Sequence, residues 1–243
     1  MRVNILPDAS SVALIAADAI CEAVRARPDA RLGLPTGGTP ILAYGELERR
    51  EQLGDADFSR ARVYAIDEFA GVPPVTAGTN AAFYREHLRI RVQSLECPDS
   101  AAPAPVTEIG GFADAIRRAG GLDLCVLGIG DNGHIAFNEP GSVRDSRARV
   151  VTLEESSRLA HAGPFGGLNR VPTRGMTLGI ADLLEARRIL VLAQGAHKAR
   201  IVRAAMDGPQ TAAVPASWLQ SHSDVIWLLD QAAASLLPRP HKT

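Results

Sequence analysis

The sequence predicts an α/β protein: a doubly wound, mostly parallel sheet with helices on both faces. Short, nearly continuous apolar runs such as Leu122–Leu127, Ile189–Ala193 and Val225–Leu229 have the character of strands buried on both sides. Segments of helical periodicity alternate with them, the pattern of parallel strands joined by crossover helices. Glycine-rich turns carrying polar residues follow the carboxyl ends of several runs, where open α/β sheets bind their ligands.

In chain order, Val3–Leu6 reads as a first strand, and Ser10 or Ser11 is placed to cap the helix after it. In that helix Val12, Ile15, Ala16, Ile20 and Val24 recur at helical spacing as far as Pro28. Arg31–Leu34 is the second strand, broken at once by Pro35-Thr36-Gly37-Gly38-Thr39-Pro40. Pro40 suits the first turn of a helix running to about Arg50. A strand, a glycine-rich loop and a helix N-terminus present backbone N–H groups to an anion, and Thr36 and Thr39 add hydroxyls. A plain βα turn has the same composition. The loop lacks the Lys-Ser/Thr ending of a nucleoside-triphosphate loop.

Arg62–Ile66 is a third strand running straight into Asp67-Glu68-Phe69. One of these adjacent carboxylates suits the capping of the next element. The other, against Phe69 and Val72, is where desolvation raises a carboxyl group towards use as a base. After the loop Gly71–Gly78 a helix passes through Asn80, Phe83, Tyr84 and Leu88, and its polar residues, His87 included, read as a solvated face. Cys97–Pro105 is a surface connection, and Phe112–Ala119 a further helix.

Leu122–Leu127 then leads into Gly128, Gly130 and Gly133, with Asn132, His134, Asn138 and Glu139 interleaved or following. A histidine and a carboxylate five positions apart in one turn can share a substrate, the first moving protons and the second orienting or charging it. A glycine-rich turn with a solvated histidine is the plainer reading. The crowding of polar groups directly after a strand favours a site.

Val150–Leu153 reads as a strand, and Glu154–Arg170 lapses into a stretch without periodicity, a mobile lid over about 154–170 or an ordinary surface loop. Pro172–Leu178 restores order. Past Ile189–Ala193, Lys198 opens the helix of Ile201, Val202, Ala205 and Met206. The dipole disfavours a cation there unless an anion meets it, which makes Lys198 a candidate phosphate clamp. Val225–Leu229 closes the sheet, and the tail Pro238–Thr243 reads as unstructured. Residues 1–243 are taken as a single α/β domain of Rossmann-like form.

Composition narrows the function. With 46% hydrophobic and 22% charged residues the chain is expected to fold as a globule. A net charge of −1 gives no reason to expect nucleic acid or an anionic membrane as partner, so any phosphate must be held by a local pocket. Three widely spaced cysteines without a C-x-x-C pair read as reduced and metal-free. Met1-Arg2-Val3-Asn4 lacks the build of a signal peptide and no stretch is apolar enough to span a bilayer, so a soluble, cytoplasmic protein is expected.

Four segments together resemble the glucosamine-6-phosphate deaminase (isomerase) family: Leu32–Pro40, Asp67-Glu68-Phe69, the run Gly130–Pro140 (G-D-N-G-H-I-A-F-N-E-P), and Gly195-Ala196-His197-Lys198. The likeness runs from about Leu32 to Asp230. Related 6-phosphogluconolactonases share the Gly-His but not the N-E-P. The resemblance implies conversion of glucosamine 6-phosphate and water to fructose 6-phosphate and ammonium in amino-sugar catabolism. It implies Asp67 as the base that carries the C2 proton, and His134, assisted by Glu139 and Asn132, as the ring-opening group. Phosphate is then expected on Thr36, Gly37, Gly38 and Thr39 with Lys198, and no metal or cofactor is expected. Two departures stand out: Asn132 replaces the aspartate of many members, and the stretch His161–Phe165 lacks a lid arginine that enteric members use for phosphate, leaving Arg158 or Arg170 to reach instead. The chain also ends soon after Asp230, which points to the short, non-allosteric type, a monomer or small homo-oligomer. The alternatives are a 6-phosphogluconolactonase, a galactosamine-6-phosphate deaminase, or a non-catalytic sugar-phosphate sensor.

Overall fold

The structure, a computed structural model, describes residues 1–238. The tail expected to be unstructured lies outside them apart from Pro238. Strand β1 (Arg2–Leu6) leads into α1 (Ala9–Ala26), which is capped by Asp8 rather than Ser10 or Ser11: its carboxylate accepts from the Ser11 N–H at 2.7 Å. Strand β2 (Arg31–Leu34), buried at every position, feeds the Thr36 loop and α2 (Ile41–Leu53), with Pro40 as the N-cap. Strand β3 (Arg62–Ala65) stops before Ile66, and Asp67–Phe69 form a strand of their own, β4, in a different sheet. The two carboxylates therefore do not hang from the end of a long strand.

Helix α3 (Asn80–His87) and a short strand β5 (Ser94–Glu96) follow. Helix α4 starts at Pro105, not Phe112, and runs to Arg118 through Gly110-Gly111. Beyond β6 (Leu124–Gly128) come β7 (Arg149–Thr152) and the stretch that lacked periodicity. That stretch is largely helical, with α5 (Glu155–Ala160), α6 (Ala162–Phe165) and a 3₁₀ turn at Leu168–Arg170. Helices of one turn are too short to print a 3.6-residue repeat on the sequence. The described chain closes with β8 (Arg174–Thr177), α7 (Ile180–Leu184), β9 (Ile189–Ala193), α8 (Ala199–Asp207) and β10 (Val225–Asp230).

Seven strands form the main sheet in the order β1-β10-β9-β6-β2-β3-β5, every neighbouring pair parallel. The second sheet, β4-β8-β7, is antiparallel. Alternate residues of the main strands enter opposite cores, as strand geometry requires. Leu32, Leu34, Leu124, Val126, Leu190 and Leu192 pack with α1 and α2. Cys125, Leu127, Ile189, Val191, Trp227 and Leu229 pack with α4 and α8. From β2 the chain winds outward through β3 to β5, and from β6 it winds the other way through β9 and β10. The switch point thus falls between β2 and β6, and the loops leaving these two paired strands flank the crevice where such sheets bind ligands.

Candidate active site

At that switch point lies a cleft of about 950 Å³, at the upper end of the range for small-molecule sites. It brings together Thr36, Gly37, Gly38, Thr39, Asp67, Asn132, His134 and Lys198. Glu139 does not line it. This carboxylate sits behind the wall, 6% exposed, and acts on the cleft through its neighbours.

The Asp67-Glu68 pair divides its labour. Glu68 is fully buried and accepts N–H bonds from Phe69, Asn80 and Ala81 at 2.7, 2.9 and 2.8 Å, closing the first turn of α3. Burial raises its carboxyl group, and these N–H donors oppose the rise. Asp67 faces the cleft. Burial, reinforced by the charge of Glu68, pushes it up to about 8, against a hydrogen bond from Asn80 that favours the carboxylate. A carboxyl group so placed exchanges a proton near neutral pH.

His134 is held by a relay. Asn132 Nδ2 donates to Glu139 Oε2 at 2.9 Å, so Asn132 Oδ1 faces the ring, 2.7 Å from His134 Nδ1 and 3.1 Å from the His134 N–H. That carbonyl calls for a proton on Nδ1, leaving Nε2 of the neutral ring as a bare acceptor. Ser157 Oγ on α5 stands 3.2 Å from Nδ1, and Glu139 Oε1 accepts from the Glu154 N–H at 3.2 Å, so the start of the 154–170 segment is tied to the histidine. Burial lowers the His134 pKa; Lys198 adds to the fall, while Glu139 and Asp131 oppose it. A side chain at Gly130 would overlap the His134 ring, which therefore lies directly against backbone. Ala136, with φ 48°, lies in the same loop in the left-handed region where a non-glycine residue is strained.

Lys198, which also lines the cleft, is not free: its Nζ pairs with Asp131 Oδ1 at 2.7 Å. Neither Arg158 nor Arg170 lines the cleft. Arg158 gives its guanidinium to the Leu168 and Val171 carbonyls at 3.0 and 3.1 Å, while Arg85 of α3 lines the cleft and donates to the Pro74 carbonyl at 2.8 Å. His87 also lines the cleft, against the expectation of a solvated face. Asn80, Asp131, Ser157 and His161 line it as well, and their place in a site was not marked in the sequence. His161 stands edge-on to Phe69, ring centroids 5.2 Å apart, and burial pushes it down to about 4. Among the described residues no group of His, Cys, Asp and Glu is arranged to hold a metal, and no helix is long and apolar enough to cross a membrane.

Fold and site place the chain in the class of doubly wound α/β proteins with a ligand cleft at the switch point of the sheet. Residues 8–227 match the family described as glucosamine-6-phosphate isomerases/6-phosphogluconolactonase, and the chain belongs to that family. Within it, the chain is similar to proteins named glucosamine-6-phosphate deaminase. It is 41% identical to that of Arthrobacter sp. (strain FB24) over 241 residues, 98% of this chain and 93% of the relative. It is 42% identical to glucosamine-6-phosphate deaminase 2 of Giardia intestinalis over 231 residues, 93% and 88% of the two chains. Its structure matches that of a monomeric glucosamine-6-phosphate deaminase with a TM-score of 0.93 at 35% identity, covering 97% of this chain and 100% of the other. A 6-phosphogluconolactonase from Trypanosoma cruzi shares the fold, with a TM-score of 0.80 over 98% of this chain and 97% of the other at 19% identity.

Proposed function

We propose that this protein converts glucosamine 6-phosphate and water to fructose 6-phosphate and ammonium. The observation that carries the reading is the pairing in one cleft of a carboxyl group raised to about 8, Asp67, with a histidine lowered by burial, His134. Isomerisation needs two such proton movers. Neutral His134 takes the anomeric hydroxyl proton on Nε2 and returns it to the ring oxygen, opening the pyranose. Ionised Asp67 then removes the C2 proton and delivers it to C1. The C2 ammonium gives up a proton as O1 of the aldehyde takes one up, the double bond moves to C2–N, and water adds to this iminium carbon and expels ammonium to leave the C2 ketone. With Asp67 raised to about 8, an ammonium group on C2 of the substrate favours the carboxylate that acts as base.

The Thr36–Thr39 loop and Lys198 hold the phosphate in this reading, and Arg85, which also lines the cleft, takes the part expected of a lid arginine. Segment 154–170 acts as the lid of a single α/β domain, supported by the Ser157 contact to His134. A monomer is supported by the likeness to the structure of a monomeric glucosamine-6-phosphate deaminase. A cytoplasmic location goes with the substrate, since a charged sugar phosphate does not cross a bilayer unaided.

The test is ammonium release from a panel of amino-sugar phosphates, galactosamine 6-phosphate included, together with deuterium uptake from solvent at C1. Release from glucosamine 6-phosphate with deuterium at C1 is expected. Lactone hydrolysis without ammonium release would overturn the reading.

A further inference from the structure

We propose that Asn80 is a positioning residue that fixes which oxygen of Asp67 moves the proton and ties that carboxyl group to the anion loop. The inference rests on the reading of Asp67 as the base. Asn80 is 1% exposed, and its amide nitrogen donates both to the Asp67 backbone carbonyl at 2.9 Å and to Asp67 Oδ1 at 2.6 Å. Two acceptors on one side settle the orientation of the amide. The Asn80 carbonyl then faces Thr36, whose hydroxyl donates to it at 2.9 Å. Thr36, Asn80 and Asp67 all line the cleft.

Two consequences follow from that geometry. With Oδ1 engaged by Asn80, Oδ2 is left to carry the proton, and the carboxyl plane cannot turn without breaking a buried bond. The amide also stabilises the ionised form, the one that acts as base. A role confined to holding α3 together is not the explanation. The helix is capped by the Thr79 hydroxyl, which accepts from the Ala82 N–H at 3.2 Å, and the Asn80 and Ala81 N–H groups are satisfied by Glu68. The Asn80 side chain takes part in neither.

The experiment measures kcat/KM for glucosamine 6-phosphate against pH, with deuterium uptake at C1, in the full chain carrying Asn80→Ala, Asn80→Asp or Thr36→Val, with Asp67→Asn as the control. Loss of the amide donor moves the limb on which the base ionises to higher pH by about one unit in Asn80→Ala, and further in Asn80→Asp, which sets a second carboxylate beside the first. Thr36→Val moves it the same way by less and raises KM. An Asn80 variant that loses activity evenly at every pH, or keeps the limb in place, overturns the positioning role; a limb unmoved in Thr36→Val overturns the tie to the loop. Exchange surviving in Asp67→Asn would instead remove the base assignment itself, so the two failures are told apart.

Discussion

Asn132 Nδ2 donates to Glu139 Oε2 at 2.9 Å, and this bond turns the Asn132 carbonyl onto His134 Nδ1 at 2.7 Å. A buried carboxylate thus reaches the His134 imidazole through a neutral amide, with its own Oε2 standing 3.6 Å from Nδ1. The arrangement selects a tautomer without placing a full charge against the ring.

Protonation of His134 is therefore expected to set a second limb on the acid side of kcat/KM, below the one on which Asp67 ionises. Glu139 raises the histidine's pKa against burial, so Glu139→Gln should shift this limb to lower pH and slow turnover as Asn132 loses its anchor. Asn132→Asp brings a charge to the ring and should shift the limb upward while leaving activity. Three pH–rate profiles on one substrate decide the matter. Limbs that coincide would mean that ring opening does not depend on His134 titrating.

Asp67→Asn should lower deamination by roughly 10²–10⁴ and deuterium uptake with it, the usual worth of a general base. It should also stabilise the fold in alkali. The carboxyl pKa is raised in the folded state, from 3.8 to about 8, so the protonated group favours folding at low pH and that contribution is lost as pH rises through 8. At pH 9 the variant should melt higher than the parent, by roughly 5 °C, while near pH 4 the two should agree. Equal melting temperatures at both pH values would show that Asp67 is not held against ionisation.

Much of this was legible in the residues, and the parts that were not share a cause. Strand β9 falls on the run expected for it, Ile189–Ala193, because all five positions are buried. The loops after β2 and β6 announced themselves by glycine, since the ring of His134 needs a bare backbone at Gly130. Strand β5 is half-buried Ser-Leu-Glu at a sheet edge and carries no apolar run. The start of α4 was hidden by Gly110-Gly111, weak helix formers that the packing of Ile109 and Ala113 overrides. Asn80 was invisible as a site residue for a topological reason. Its partner Asp67 lies 13 residues earlier, across the loop Gly71–Gly78, a separation that no helical or strand period links.

His161 should make the protein lose stability in acid. Its pKa falls from the ordinary 6.5 to about 4 on folding, so the stabilisation is complete above 6.5 and drains away as pH drops towards 4. His161→Phe keeps an aromatic ring beside Phe69 and Phe137 without the charge. The variant's melting temperature should pull ahead of the parent's by about 3 °C between pH 6.5 and pH 4. A difference constant across that range would place the acid sensitivity elsewhere.

Asp131 offers the sharpest test of the phosphate end, because it occupies the cation expected there. Its carboxylate is 2.7 Å from Lys198 Nζ, with Asp131 69% exposed and Lys198 only 16%. A phosphate arriving at the Thr36 loop must share or displace that partner, and an exposed ion pair is worth no more than about 1 kcal/mol. Asp131→Asn leaves the shape and removes the competitor, so KM for the phosphorylated sugar should fall by up to about fivefold, with inorganic phosphate inhibiting more strongly and kcat little changed. Asp131 also favours the protonated form of His134, so the His134 limb should move slightly downward rather than up. Lys198→Met should raise KM about tenfold or more, and in that background Asp131→Asn should have no further effect on KM, since there is no ammonium left to release. If Asp131→Asn instead raises KM, the carboxylate contacts the sugar itself; if the two substitutions act independently, Lys198 is not the phosphate's partner.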